Sequence, residues 1–142
     1  MKKYIKLLFI IFLFFISASA NAQTFYGKYN QTIGRSDNDG TVRNSNGSTI
    51  GKIDKDGTIR NSNYASLGHI NNDGTIRDKN YTMIGKVDSD GTVRDKYYAT
   101  IGKVCDDGTI RDKNYATIGS AKGIDKYIAA VFYFLNLFEV NF

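Results

Sequence analysis

The stretch DGTIRNSNYASLGHI (residues 56–70) is followed by three close copies of itself. These are DGTIRDKNYTMIGKV (73–87), DGTVRDKYYATIGKV (90–104) and DGTIRDKNYATIGSA (107–121). An Asp-Gly pair opens each copy and also stands at 39–40, so the period is 17 residues. A second column of glycines keeps the same step: Gly34, Gly51, Gly68, Gly85, Gly102 and Gly119. A constant period of this size predicts repeated units that cannot bury their apolar faces alone.

Each repeat contains two turn signals. Asp54-Lys55-Asp56-Gly57 opens with Asp and closes with Gly, which is typical of a hairpin loop built on a type I turn and a left-handed residue. This loop pairs Ile53 with Ile59. Asn61-Ser62-Asn63-Tyr64 has the same form and predicts that Ile59 lies opposite Leu67. Both turns therefore send aliphatic side chains to one face of a sheet.

The second glycine column predicts a repeated irregularity in the strands. Ile50 and Ile53 are three residues apart, and an unbroken strand would point them to opposite faces. Gly51 lies between them, and a glycine inside a strand often marks a bulge. We expect a one-residue bulge there and at the equivalent glycines, and we interpret this column as structural.

The spacing of the turns predicts six hairpins and twelve short strands. One set of strands has the form T-[IV]-R and begins at Thr41, Thr58, Thr75, Thr92 and Thr109, with Thr24-Phe25-Tyr26 one period earlier. The other set lies near 32–36, 49–53, 66–70, 83–87, 100–104 and 117–121. We expect an all-β fold in which an antiparallel meander of these hairpins closes into a shallow barrel. The alternative is a parallel β-solenoid, which would stack the repeated arginines about 4.8 Å apart as a like-charge ladder.

One apolar segment is left to cover the sheet. Residues 128–138 (IAAVFYFLNLF) are hydrophobic on every side, which is typical of a helix that is buried all round. Asp125 can cap its start. The predicted organisation is a hairpin-repeat domain at 23–123 and a hydrophobic segment at 124–142 that packs into it and closes the barrel edges.

The amino terminus has the form of a secretory signal peptide. Lys2, Lys3 and Lys6 precede an apolar core at 7–16, and Ala20-Asn21-Ala22 supplies a cleavage site before Gln23. The core is too short to span a bilayer. Residues 1–22 are therefore expected to be a Sec signal that sends the protein to the periplasm or the cell surface. Without those three lysines, 16 basic residues face 14 acidic ones, and their alternation argues against nucleic-acid binding.

Residues for catalysis or metal binding are few. The chain has one His and one Cys, and both stand in repeat columns that other residue types fill. His69 takes the place of Lys52 and Lys86, and Cys105 takes the place of an Asp that opens a turn. The Asp-x-Asp-Gly loops (Asp54, Asp56, Asp88 and Asp90 in two of them) lack the further oxygen ligands of a calcium loop. We expect no enzyme activity, no metal and no cofactor.

A column of tyrosines is the candidate ligand-contact site. Tyr64, Tyr81, Tyr98 and Tyr115 recur at the second turn of each repeat, next to Asn or to Tyr97. Exposed aromatic rings with amide neighbours could stack on sugars, and the alternative is that they pack over their turns. Repeated weak contacts of this kind would bind by avidity.

The combination of a secretory signal, DGT[IV]R…TIGK repeats and an Ala-Ala-Val-aromatic tail (129–134) resembles the five-fold β-flower proteins, a family of small exported bacterial proteins. The resemblance covers essentially all of residues 23–142 and implies a shallow radial barrel with hairpins as petals. It implies no activity. The architecture is also similar to the Tubby-like and scramblase barrels, in which twelve strands surround a hydrophobic C-terminal helix. The tail here is longer and ends in Glu139-Val140-Asn141-Phe142.

These observations favour a non-enzymatic binding or structural module of the cell envelope. A lipid or membrane-surface module is the first alternative, because the tail is aromatic and the shape is similar to Tubby-like barrels. A glycan-binding repeat protein is the second alternative.

The leader makes a direct prediction. The exported protein should begin at Gln23, because the small residues before it form the cleavage site. Amino-terminal sequencing of the protein recovered outside the cytoplasm measures this. A soluble exported form that retains Met1 would contradict it.

Overall fold

The repeats form a closed barrel, seen in a computed structural model that describes residues 23–139. The predicted leader (1–22) and residues 140–142 of the tail lie outside the described residues. The twelve strands are β1 (Gln23–Gly27), β2 (Thr32–Ser36), β3 (Thr41–Asn44), β4 (Thr49–Ile53), β5 (Thr58–Asn61), β6 (Ser66–Ile70), β7 (Thr75–Asp78), β8 (Met83–Val87), β9 (Thr92–Asp95), β10 (Thr100–Val104), β11 (Thr109–Asp112) and β12 (Thr117–Ser120). Helix α1 (Lys126–Phe134) follows.

Every strand pairs antiparallel with its neighbours in sequence, and β12 pairs back onto β1. The predicted meander and its closure are confirmed, and the solenoid is wrong. The first type of turn also has the predicted register: Ile53 lies opposite Ile59. The amide of Gly57 donates to the carbonyl of Asp54 at 3.0 Å, and Gly57 has a φ of 94°, which glycine adopts without steric penalty.

The second type of turn has a register that differs from the prediction. Ile59 lies opposite Gly68, not opposite Leu67, because the ladder shifts by one residue between Ile59 and Arg60. The extra residue is thus Leu67, one position before the glycine at which we expected the bulge. The same shift recurs in β2, β4, β8, β10 and β12. The consequence for packing is nevertheless the expected one, since Leu67 and its counterparts lie half-buried against the core.

The core lies inside the barrel and is built from buried side chains that the strands and the helix contribute. Each T-[IV]-R strand contributes one fully buried aliphatic residue to the same layer of the core: Val42, Ile59, Ile76, Val93 and Ile110. Phe25 fills the same position in β1 and stacks on Phe132 of α1, with ring centroids 3.9 Å apart. The helix enters the barrel and supplies Ala129, Ala130 and Val131 to its centre.

Helix α1 is shorter than the predicted segment. Asp125 caps it as expected, since its Oδ1 accepts from the amide of Tyr127 at 2.8 Å. The helix ends at Phe134, and Asn136 has a left-handed φ of 47°. Residues 135–138 therefore lie outside the helix although they belong to the apolar run, and the Phe138 side chain is buried without being helical.

No helix within residues 23–139 has the length and apolar character needed to cross a bilayer.

The second glycine column makes room for the tail. A Cβ on Gly34 would lie 2.9 Å from the ring of Phe132, and one on Gly85 would lie 2.9 Å from Leu135. Phe138, Phe134 and Tyr133 approach Gly51, Gly102 and Gly119 in the same way. Each of these glycines also faces a cross-strand carbonyl oxygen within 3 Å of that Cβ. A methyl group at these positions would push the strand away from both neighbours, so the column is structural for a reason beyond the bulge.

Tyr133 bridges the point at which the barrel closes. Its hydroxyl lies 2.8 Å from the carbonyl oxygen of Tyr26 in β1 and 2.9 Å from that of Ser120 in β12, and it donates its hydrogen between them. Tyr26 and Ser120 are themselves a cross-strand pair. Burial raises the pKa of Tyr133 well above its usual range, so the hydroxyl stays protonated and remains a donor.

Tyr133→Phe should lower the free energy of unfolding by about 1–2 kcal/mol, because the two closing carbonyls lose a half-buried donor while the ring stays in place. The melting temperature should fall by about 4–8 °C. Tyr115→Phe is the matched control, since that ring is exposed at the barrel end. Equal melting temperatures for the two variants would show that the hydroxyl does not stabilise the closure.

Candidate functional site

The two ends of the barrel carry different side chains. Turns alternate between the ends because neighbouring strands are antiparallel. One end, here called the tyrosine rim, consists of residues 28–31, 45–48, 62–65, 79–82, 96–99 and 113–116. The other end, here called the aspartate rim, consists of residues 37–40, 54–57, 71–74, 88–91 and 105–108.

The tyrosine rim brings the four candidate tyrosines to four neighbouring hairpins. Each is the last residue of its turn, and an opening Asn or Asp fixes that turn. In the β5–β6 hairpin, Asn61 Oδ1 accepts from the amides of Asn63 at 2.9 Å and Ala65 at 3.0 Å. The Tyr64 amide then donates to the Asn61 carbonyl at 3.0 Å. Asp78, Asp95 and Asp112 build the other three turns in the same way.

All four tyrosines adopt a left-handed backbone. Their φ values lie between 64° and 66°. For a bulky side chain this conformation costs about 1–2 kcal/mol. The β3–β4 hairpin has Gly47 at the same position, with a φ of 83°, and therefore forms the same turn without this strain. Tyrosine is not required for the turn.

The tyrosine side chains also face solvent. Their exposed fractions are 66, 82, 59 and 67% for Tyr64, Tyr81, Tyr98 and Tyr115. More than half of each tyrosine's surface is therefore accessible to a ligand. Two more exposed rings lie on the rim, Tyr97 at 77% and Tyr29 at 81%.

Tyr29 was missed by the sequence argument. It stands one position before Asn30, which has the left-handed φ in the β1–β2 hairpin, so it falls outside the tyrosine column. A signal was present: Lys28-Tyr29 has the same order as Lys96-Tyr97, and in both pairs the ammonium lies over the ring. With Tyr29 included, five of the six hairpins on this rim carry an exposed tyrosine, and the β3–β4 hairpin is the exception.

A column of arginines connects the tyrosine rim to the aspartate rim. In each T-[IV]-R strand from β5 onward, Arg Nη1 donates to the carbonyl of the tyrosine four residues later, at 3.0–3.2 Å. Three arginines also bind the Asp six residues earlier: Arg43–Asp37 at 2.8 Å, Arg60–Asp54 at 2.6 Å and Arg94–Asp88 at 2.7 Å. The Nη1 hydrogen bond holds the carbonyl of the left-handed tyrosine, and the ion pair holds the arginine in place.

The aspartates of the other rim are used as turn formers. The Asp before the Gly of each loop accepts from the amide of the Thr two residues later, as in Asp56 Oδ1 and Thr58 at 2.9 Å. This backbone hydrogen bond, with a weaker one from the Thr hydroxyl, lowers the pKa of Asp39, Asp56, Asp73, Asp90 and Asp107. Within residues 23–139 no three His, Cys, Asp or Glu side chains are grouped so that they could hold a metal ion.

A cavity of about 560 Å³ opens at the aspartate rim, beside the start of α1. Ile53, Ile70 and Ile128 line its floor, and Asp39 and Asp56 are among the carboxylates at its mouth. The helix packs against β8 and β10, and the cavity lies beside the β2–β3, β4–β5 and β6–β7 turns. Cys105 is half-buried and opens the last Asp-Gly turn.

A family model described as 5-fold beta-flower protein matches residues 22–137 of the chain. No curated protein matches the sequence.

The strain at the tyrosine rim can be measured. Tyr81→Gly should raise the free energy of unfolding by about 0.5–1 kcal/mol. Glycine removes the strain of a left-handed side chain, and the greater backbone entropy of glycine in the unfolded chain offsets only part of that stabilisation. Chemical denaturation measures the difference.

Tyr97→Gly is the matched control. Tyr97 has similar exposure but no positive φ, so glycine there should lower stability. If both variants lose stability equally, the tyrosine backbone is not strained.

Proposed function

Because the chain belongs to the 5-fold β-flower family, whose description names no activity, we propose from the site itself that it is an exported, non-enzymatic binding module of the cell envelope. Its ligand is a glycan, and the tyrosine rim is the binding surface. The leader described above supports export, and the repeated side chains support a role in binding.

The observation that carries the proposal is the strained, exposed tyrosine. Backbone strain is retained where the surrounding structure supports it, and it concentrates at ligand-binding sites. Gly47 forms the same turn without strain, so folding alone does not explain Tyr64, Tyr81, Tyr98 and Tyr115. What tyrosine adds is a flat apolar face and a polar hydroxyl, which together suit a sugar ring and its hydroxyl groups.

The neighbouring side chains suit the same ligand. Asn63, Asn80 and Asn114 precede three of the four tyrosines and are exposed on the rim. An amide donates and accepts hydrogen bonds, as sugar hydroxyls do. Each tip therefore presents a stacking face beside a polar group of matching chemistry.

Repetition on a rigid barrel favours a polymeric ligand. Five hairpins present exposed tyrosines, and in four of them an Asx turn and an arginine contact fix the tip. One weak contact at each tip gives a much tighter overall affinity when a ligand engages several tips at once. A glycan chain is a ligand with repeated sugar faces.

The buried tail favours a glycan over a lipid surface. The lipid alternative arose from the aromatic tail, but Phe132 and Phe138 are almost fully buried in the barrel. Those rings are therefore occupied in the folded protein. A catalytic site needs different functional groups, such as a nucleophile and a base, close to one another. The described side chains instead place the same groups at the same position of each repeat, which argues against catalysis.

The proposal is tested by replacing Tyr64, Tyr81, Tyr98 and Tyr115 together with Asn. Asn30 fills the same position with a φ of 61°, so the turns should still form. Binding of residues 23–142 to peptidoglycan sacculi and to soluble cello-oligosaccharides should weaken at least tenfold in the variant, because several stacking contacts are lost together.

The matched control replaces four exposed residues of the aspartate rim, Lys55, Asn72, Ser89 and Asp106, with Ala. This variant should bind like the unmodified protein. Binding to phospholipid vesicles with none to any glycan would overturn the proposal in favour of the lipid alternative. Glycan binding that survives the loss of all four tyrosines would place the site elsewhere.

A further inference from the structure

Two arginines of the column, Arg77 and Arg111, lack the aspartate that the others bind. Arg43, Arg60 and Arg94 each bind the Asp that opens the preceding turn. Before Arg77 that position is Asn71, so the carboxylate is missing. Within residues 23–139 the Arg77 guanidinium keeps one hydrogen bond, from Nη1 to the Tyr81 carbonyl at 3.0 Å.

Arg77 lines a cleft on the outer wall of the barrel. The cleft has a volume of about 360 Å³ and lies between β6, β7 and the tip of the β7–β8 hairpin. His69 lies directly across the strand pair from Arg77 and lines the cleft too. Lys79 and Tyr81 reach it from the tip. It thus combines three basic side chains with the most exposed of the four candidate tyrosines.

The cleft contains one carboxylate, that of Asp78, and this group is committed to the turn. Its Oδ1 accepts from the amides of Asn80 at 2.8 Å and Thr82 at 3.0 Å. Thr58 and Ser66 add hydroxyl groups to the lining. Asp56 and Asp73 do not line the cleft. Hydrogen bonds from Thr58 and Thr75 are the main causes that lower the pKa of these two carboxyls, and His69 and Arg77 lower it further.

The charges of the cleft match an oxyanion. A guanidinium binds sulfate, phosphate or carboxylate with two parallel hydrogen bonds, and it does so best when no protein carboxylate occupies it. In three hairpins an Asp of the chain takes that place. Beside Arg77 that residue is the uncharged Asn71, so within residues 23–139 the guanidinium has no ion pair with a carboxylate of the chain.

We propose that this cleft binds the acidic group of a charged sugar, while Tyr81 stacks on the ring that carries it. The proposal rests on the proposed function and adds the ligand class: an anionic glycan, bearing sulfate, phosphate or uronic carboxylate groups. Arg77 holds the oxyanion, Lys79 adds positive charge beside it, and the His69 ring adds a hydrogen-bond donor.

The test uses Asn71→Asp, which restores the ion pair of the other hairpins. The introduced carboxylate should bind Arg77 as Asp54 binds Arg60 and compete with the ligand. The repeat itself shows that this residue suits the turn, so the variant should fold. Cys105→Asp makes the equivalent change before Arg111 and is the matched control.

Calorimetric titration with cellohexaose and with its sulfated form separates the outcomes. The unmodified protein and C105D should bind the sulfated sugar at least tenfold more tightly than the neutral one, and N71D should lose that preference while its affinity for cellohexaose stays unchanged. Equal affinity of the unmodified protein for both sugars, or equal behaviour of N71D and C105D, would overturn the anionic specificity and leave the proposed function standing. Binding of neither sugar by any variant would count against the proposed function, and this inference would be overturned with it.

Discussion

The close approach of the tail to the glycine column is the contact on which the structure depends. Five even-numbered strands present a glycine where Phe132, Phe138, Leu135, Phe134 or Tyr133 packs, and each glycine also faces a cross-strand carbonyl. A barrel of strands this short cannot bury enough surface with its own aliphatic residues. The tail provides the missing core, and glycine lets backbone and ring meet. The hairpins are thus units that become stable only together, around one segment that none of them contains.

This dependence places a special demand on the seam between β1 and β12. All other strand pairs join neighbours in sequence, which brings them together at small entropic cost. The seam joins the two ends of the repeat, and its register comprises only two residue pairs. Phe25 stacking on Phe132 and Tyr133 bonding to both closing strands compensate for that short ladder. The segment that fills the core therefore also closes the wall.

The sequence predicted the parts of the fold that local chemistry controls. The Asp-Gly turns, twelve strands, the cap at Asp125 and the closed meander follow from turn preferences and from the need to cover one apolar face. The bulge was predicted at the glycine, one residue after its true position at Leu67 and its counterparts. A period of 17 shows how often an irregularity occurs but not which residue is left out of the strand pairing. The helix was predicted too long, since it ends where Leu135 and Phe138 must reach different glycines. At the site, the tyrosine column was visible, and Tyr29 could have been found from the Lys-Tyr order that it shares with Tyr97. The Arg–Asp pairs depend on how the hairpins fold back.

The repeat also shows where function can be sought. Every hairpin folds through the same backbone hydrogen bonds, so a change in one copy alters the surface while the fold is retained. Gly47 removes a tyrosine from one tip, Asn71 removes a carboxylate from beside Arg77, and Cys105 does so beside Arg111. None of these departures is needed to form its turn, since the aspartate and tyrosine versions form in sister hairpins. Residues shared by all copies explain why the barrel exists, and residues that differ between copies make the hairpins chemically distinct from one another. A ligand that recognises this barrel in one orientation must therefore contact the departures as well as the repeat.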